Sequence, residues 1–157
     1  MKPTIEAFTM SHYDAVVSLW QSIPGIWLDL DDADSRSGMR LYLRRNPGMS
    51  FIAKNGASVV GAVLCGHDGR RGYLHHLAVL PSCRRQGIGS KLVERCLQAL
   101  AARGIKRCNI FVFDDNASGI RFWSKTRWKR YDGLSVLYKG LGEVCLPPRK
   151  RHKGTRT

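Results

Sequence analysis

Apolar and polar residues alternate from Thr4 to Phe8, which predicts a short strand. Ser11 then offers a helix N-cap, and Val16, Leu19, Trp20 and Ile23 fall on one helical face before Pro24-Gly25 ends the run. Gly25–Asp34 reads as a loop holding Trp27 and the aspartates Asp29, Asp31, Asp32 and Asp34, the last of them a good cap for the helix that follows. That second helix is expected from about Ser35 to Arg45, stopping before Asn46-Pro47-Gly48. The period then shortens to two. Met49–Lys54 and Ser58–Cys65 are strand-like and flank Asn55-Gly56, a strong hairpin signal. A turn centred on Asp68-Gly69 leads into Tyr73–Leu80, so three strands should form an antiparallel meander.

Helical spacing returns at Ile88, Leu92, Val93, Cys96, Leu97 and Leu100, with Gly104 closing the helix. Cys108–Phe113 is a further strand, Ala117–Trp128 a helix and Leu134–Leu141 a final strand. The order is β-α-α-β-β-β-α-β-α-β. It predicts a mixed α+β domain over residues 1–146.

Between the apolar run Leu74–Pro81 and the helix lies Arg84-Arg85-Gln86-Gly87-Ile88-Gly89. Two glycines let the backbone turn tightly and approach a ligand, and the first N–H groups of a helix have no internal partner. With the helix dipole these groups make an anion cradle, and Arg84 and Arg85 add guanidiniums at its rim. A Walker loop needs Lys directly after its last Gly, but Ser90 intervenes before Lys91. A dinucleotide fingerprint needs a third Gly where Leu92 stands. A ligand carrying a pyrophosphate remains the first expectation.

Composition narrows the class further. A chain of 157 residues with 43% hydrophobic residues is long enough for one domain with its own core. No apolar run approaches the roughly 20 residues of a membrane span. The N-terminus lacks the apolar stretch of a secretory signal, so the cytoplasm is the expected compartment and no membrane is expected as a partner. Five cysteines, Cys65, Cys83, Cys96, Cys108 and Cys145, are odd in number and unclustered, which favours free thiols over zinc or disulfides. Cys83, beside the glycine loop, has a reactive role as its alternative. The net charge is +14, and residues 147–157 carry five Lys/Arg and no acid, leaving +9 on the remainder. That tail reads as a disordered segment, and nucleic acid is a possible partner through it alone.

The strand, loop and helix around Arg84–Gly89 resemble those of the GNAT superfamily of acetyl-CoA-dependent N-acetyltransferases, over about residues 3–141. The resemblance implies the GNAT fold, mostly antiparallel, with a sheet splayed at the strand before the R-x-x-G-x-G loop. It implies that Arg84, Arg85, Gln86, Gly87, Ile88, Gly89 and Ser90 hold the CoA pyrophosphate. Leu77-Ala78-Val79 matches the strand that pairs with the pantetheine arm, and the amide of Val79 takes the oxyanion-stabilising role. Asn116 followed by Phe122-Trp123 is similar to the family's N…F-Y segment, also a cofactor contact. Two departures stand out. Trp123 replaces the tyrosine credited with protonating the leaving thiolate, and an indole N–H is not a useful acid. Arg127 replaces a common glycine. Tyr131 is only a remote candidate for the missing acid.

Acetyl transfer to an amine needs a base, because an alkyl ammonium has a pKa of about 10. His75 is the preferred base, since strict alternation puts it on the face of Leu77 and Val79 and imidazole titrates near working pH. It also coincides with a histidine position in serotonin N-acetyltransferase-like members. The alternative is a hydrogen-bonded surface histidine. By the same alternation His76 points away and is the weaker choice, while Tyr73 shares the face of His75 and lines the site or polarises a water. In the family the loop Gly25–Asp34 lies over the acceptor. Asp29, Asp31 and Asp32 would attract a cationic amine and Trp27 would stack on it, with calcium binding or helix capping and solvated charge as alternatives. The expected activity is acetyl transfer from acetyl-CoA, without a metal, to a primary amine in a ternary complex. A small-molecule amine is the favoured acceptor. A protein N-terminus or lysine, or a non-catalytic acyl-CoA-sensing or nucleic-acid-associated module, are the alternatives. A monomer or homodimer is expected.

Overall fold

The computed structural model describes residues 2–143, so Cys145 and the basic tail 147–157 lie outside the described residues. Five strands, β1 (Thr4–Ala7), β2 (Phe51–Asn55), β3 (Ser58–His67), β4 (Gly72–Val79) and β5 (Cys108–Ile110), form one sheet in that order. The first four pair antiparallel and β5 joins β4 in parallel. Four helices accompany them: α1 (Tyr13–Gln21), α2 (Arg36–Arg45), α3 (Ile88–Ala102) and α4 (Ala117–Lys125).

The meander read from the period-two pattern is present. Central strand β3 is buried from Val60 to Gly66, because helices cover both faces of the sheet there. On one face Ile88, Leu92, Val93, Cys96 and Leu100 of α3 pack against Phe51, Val63, Cys65 and Leu74. On the other, Val16, Leu19 and Trp20 of α1 and Met39 of α2 pack against Ile52, Ala62, Leu64 and Ala78. Each fully buried side chain such as Leu92 contributes about 1.5–3 kcal/mol by leaving water.

Four sequence expectations are corrected. Ser35, not Asp34, caps α2, its Oγ accepting the Gly38 N–H at 3.1 Å. The hairpin pairs Asn55 with Ser58, so its two central residues are Gly56-Ala57. Helix α4 ends three residues before Trp128, where Arg127 takes φ +67°. Residues 134–141 form no strand: β5 stops at Ile110, and Leu134, Val136, Leu137 and Tyr138 are exposed. A β-prone sequence becomes a strand only against an edge that accepts its hydrogen bonds.

Candidate active site

Strand β4 carries an irregularity that decides where its side chains point. His75 pairs with Leu64 of β3 and Ala78 with Ala62, so three steps along β4 match two along β3. The extra residue is absorbed at His76, whose φ is +52°. A bulge resets the alternation. His75 meets the Tyr42 ring edge-on at 6.2 Å and His76 meets Trp20 at 5.1 Å, both on the α1/α2 face. Leu77 and Val79 pack against the α3 cluster instead. The expectation that His75 shares their face, with His76 opposite, is therefore overturned, because alternation assumes an unbroken ladder.

His76 has a specific partner. Its Nε2 lies 2.9 Å from Asp34 Oδ1, and a carboxylate can only accept, so Nε2 donates. Asp34 Oδ2 accepts the Asp29 N–H at 2.9 Å, and the Asp34 carbonyl accepts the Tyr13 hydroxyl at 2.8 Å. At 6% exposure Asp34 is a buried acid with its acceptors in use. It pins the loop between α1 and α2 onto the β4 bulge. Sequence reasoning missed this role. The available signal was an acid directly before an N-cap serine, matched to a His-His pair in a strand.

Beyond the bulge the sheet opens. Pairing of β4 with β5 ends at Leu74–Ile110, while β4 continues to Val79. A cavity of about 480 Å³ fills the gap, with Trp27, His75, His76, Leu77, Phe111, Asn116 and Trp123 among its walls. Tyr73 stacks between His75 (6.5 Å) and Phe111 (6.2 Å), forming a row of rings that Tyr42 ends. Burial pushes the His75 imidazole below its usual pKa, helped by neighbouring His76 and opposed by Asp34. Neutral His75 is thus favoured near pH 7. Tyr42 hydroxyl is buried without a partner, and burial raises its pKa, so it stays protonated. Asp29, Asp31 and Asp32 do not line the cavity, and Asp31 and Asp32 are exposed. A second groove of about 470 Å³ lies between α3 and the end of α4, against Leu97 and Trp128, and contains neither histidine.

Helix α4 supplies the far wall. Asn116 caps it, accepting the Gly119 N–H at 3.0 Å. Its other end is a Schellman motif: Trp128 N–H donates to the Trp123 carbonyl (3.0 Å) and Arg127 N–H to Ser124 (3.1 Å). The accompanying apolar contact is Trp123 on Trp128, with ring centroids 4.9 Å apart, which orients the indole at the cavity. Phe122 does not line the cavity but packs beneath the start of α3, where a Cβ on Gly89 would lie 3.3 Å from its ring.

The start of α3 has the form of an anion cradle. Gly87 is the N-cap at φ +74°, and Lys91 N–H to the Gly87 carbonyl, 3.0 Å, is the first helical bond. The amides of Ile88, Gly89 and Ser90 consequently have no partner within the helix. A Cβ on Gly87 would meet no protein atom within 4 Å and would project into open space beside them. Arg85 holds a left-handed turn at φ +62°, while Arg84 folds back, its Nε donating to the Val79 carbonyl at 3.0 Å. Free amides, open space and an unpaired strand edge at β4 suit a ligand with a phosphate end and an amide-bearing arm. Among the described residues no group of three His, Cys, Asp or Glu side chains is arranged to hold a metal ion. No helix there is long and apolar enough to cross a membrane.

Comparison with known proteins agrees with this geometry. Residues 13–127 match the family model described as acetyltransferase (GNAT) family. The chain is 30% identical over 141 residues to "Acetyltransferase SG1711" of Sodalis glossinidius, covering 88% of this chain and 96% of the relative. Among solved structures it is similar to an acetyltransferase from Streptococcus agalactiae, with TM-score 0.73 and 20% identity over 89% of this chain and 92% of that one. It is also similar to the PaiA N-acetyltransferase of Thermoplasma acidophilum, solved with coenzyme A, at TM-score 0.70 and 15% identity over 80% and 89% of the two chains. At these identities the structures speak for the fold.

Proposed function

The chain belongs to the acetyltransferase (GNAT) family, and from that premise we propose that it transfers the acetyl group of acetyl-CoA to the primary amine of a small acceptor bound at the same time. Acetyl-CoA, when bound, supplies an activated thioester. The amides of Ile88, Gly89 and Ser90, with Arg85, are the groups suited to its pyrophosphate, because they are donors left over by the helix itself. The edge of β4 beyond Leu74 is suited to the amide-bearing arm, up to the Val79 carbonyl that Arg84 holds.

His75 is the base in this reading. It lines the cavity, and its neutral form is favoured near pH 7 by burial. It takes the proton that the acceptor ammonium must lose before it can attack. After passing that proton to solvent, His75 is also placed to carry the second proton from the nitrogen to the leaving thiolate. His76 acts through position: bound to Asp34, it holds the bulge directly after His75.

The observation that carries the proposal is the parting of β4 from β5 after Leu74, which opens a cavity walled by His75 and His76. The test is release of CoA thiol with a panel of primary amines, with the acetylated product identified by mass spectrometry. Thiol release that requires both acetyl-CoA and an amine, and that falls at least tenfold in His75→Ala, is expected. Cofactor binding without turnover on any amine or peptide would favour a sensing module instead.

A further inference from the structure

The cavity has two unlike halves, and the difference bears on the acceptor. On the α3 side its walls are Leu74, Leu77, Ile110 and Trp123, which belong to or pack on the core. His75, His76 and Phe111 stand on the α1/α2 side, and Trp27 and Phe113 are further aromatic walls. Phe111 and Phe113 are 62% and 55% exposed, so neither serves the core, and exposed aromatic rings grouped at a cavity mouth mark a contact surface.

Among the described residues no carboxylate lines this wall. Asp34, which bonds to His76 of this wall, has its two oxygens taken by His76 and by the Asp29 N–H. Asp31 and Asp32 face solvent. A polycationic acceptor, such as a polyamine or an aminoglycoside, would set its further ammonium groups against this wall with no carboxylate on it to pair them, which favours it less than a single charge. An amine with a single charge loses that charge to His75 before it reacts and leaves only an apolar body to be housed.

Resting on the reading of this cavity as an acetyl-transfer site, we propose that the acceptor is a monoamine carried on an apolar, aromatic-sized group, seated on Trp27 and Phe111 with its nitrogen at His75. Trp27 attracts the incoming ammonium through its ring face and then packs against the apolar body. The step balances simply. The ammonium first gives one proton to His75, which passes it to solvent. The neutral nitrogen then bonds to the acyl carbon, the carbon–sulfur bond breaks, and the nitrogen's second proton goes through His75 to the sulfur, so one proton is released per turnover.

The test compares phenethylamine and hexylamine with spermidine and neamine in the full chain, with acetyl-CoA affinity measured separately by calorimetry. Phenethylamine should show kcat/KM at least tenfold above either polycation. Trp27→Ala and Phe111→Ala should each narrow that margin about tenfold, mainly through KM, with acetyl-CoA affinity unchanged as the sign of an intact fold. Equal or better use of the polycations would overturn the inference and leave acetyl transfer standing. So would acetyl-CoA binding without turnover of either monoamine. Failure to bind acetyl-CoA would overturn the underlying reading as well.

Discussion

His76 Nε2 and Asp34 Oδ1, 42 positions apart in the chain, lie 2.9 Å apart. The contact joins the β4 bulge to the loop before α2, and both segments supply cavity walls, His75 and His76 from one and Trp27 from the other. Asp34→Ala would leave the His76 donor and the Asp29 N–H without partners. The expected cost is about 2–3 kcal/mol, or a Tm lowered by roughly 4–12 °C. Thermal unfolding checks it, and acceptor KM should rise more than acetyl-CoA affinity falls. Asp34→Asn, which keeps an acceptor oxygen, should recover part of both.

The pH dependence follows from His75. Burial lowers its folded pKa below the unfolded value of about 6.5. The stability it contributes is fully present above about pH 6.5 and is lost as pH falls through the lower folded pKa. With neutral His75 as the proposed base, kcat/KM should plateau near neutrality and fall on an acid limb below about pH 6.5. A pH–rate profile checks this, and His75→Gln should remove that limb together with most of the rate.

Arg127 occupies the position of the α4 Schellman motif where glycine is favoured, and it does so at φ +67°. A side chain in that conformation carries a penalty of about 1 kcal/mol. Arg127→Gly should therefore stabilise the protein by about that amount, read as a Tm rise of roughly 2–4 °C. The cavity wall is unchanged by the substitution, because Trp123 keeps its contact with Trp128. Unaltered acetyl-CoA affinity would accompany the higher Tm. A lower Tm would show that Arg127 makes a contact that outweighs its backbone strain.

Tyr42 supplies a buried hydroxyl with no partner. Deleting an unsatisfied polar atom while keeping the ring should not cost stability, so Tyr42→Phe is expected to leave Tm unchanged or raise it by up to about 3 °C. A clear fall in Tm would mean that an ordered water satisfies the hydroxyl beside His75.

The meander, the four helices and the glycine loop were legible in the sequence because each rests on a local rule: period two, period 3.6, or glycine before an amphipathic run. What was illegible was non-local. His76 absorbs an extra residue only because β3 pairs on both sides of it, and nothing in Tyr73–Val79 alone announces that slip. Asp34 resembles its exposed neighbours Asp31 and Asp32 until the fold buries it beside His76. Leu134–Leu141 has a strand's pattern, but the partner edge it needs ends at Ile110. Of the loop read as the acceptor side, Trp27 lines the cavity while Asp29, Asp31 and Asp32 do not, a difference their spacing does not announce.

Titration of acetyl-CoA into the full chain and into Gly87→Val, followed by calorimetry, tests the central claim most directly. The wild-type protein should bind one equivalent with an affinity on the order of micromolar to high micromolar. Gly87→Val, whose side chain would project into the open space beside the α3 amides, should bind at least tenfold more weakly while still unfolding cooperatively. No binding by the wild type at high micromolar concentration, or equal affinity in the two proteins, would contradict the assignment of the α3 N-terminus as the cofactor's phosphate site.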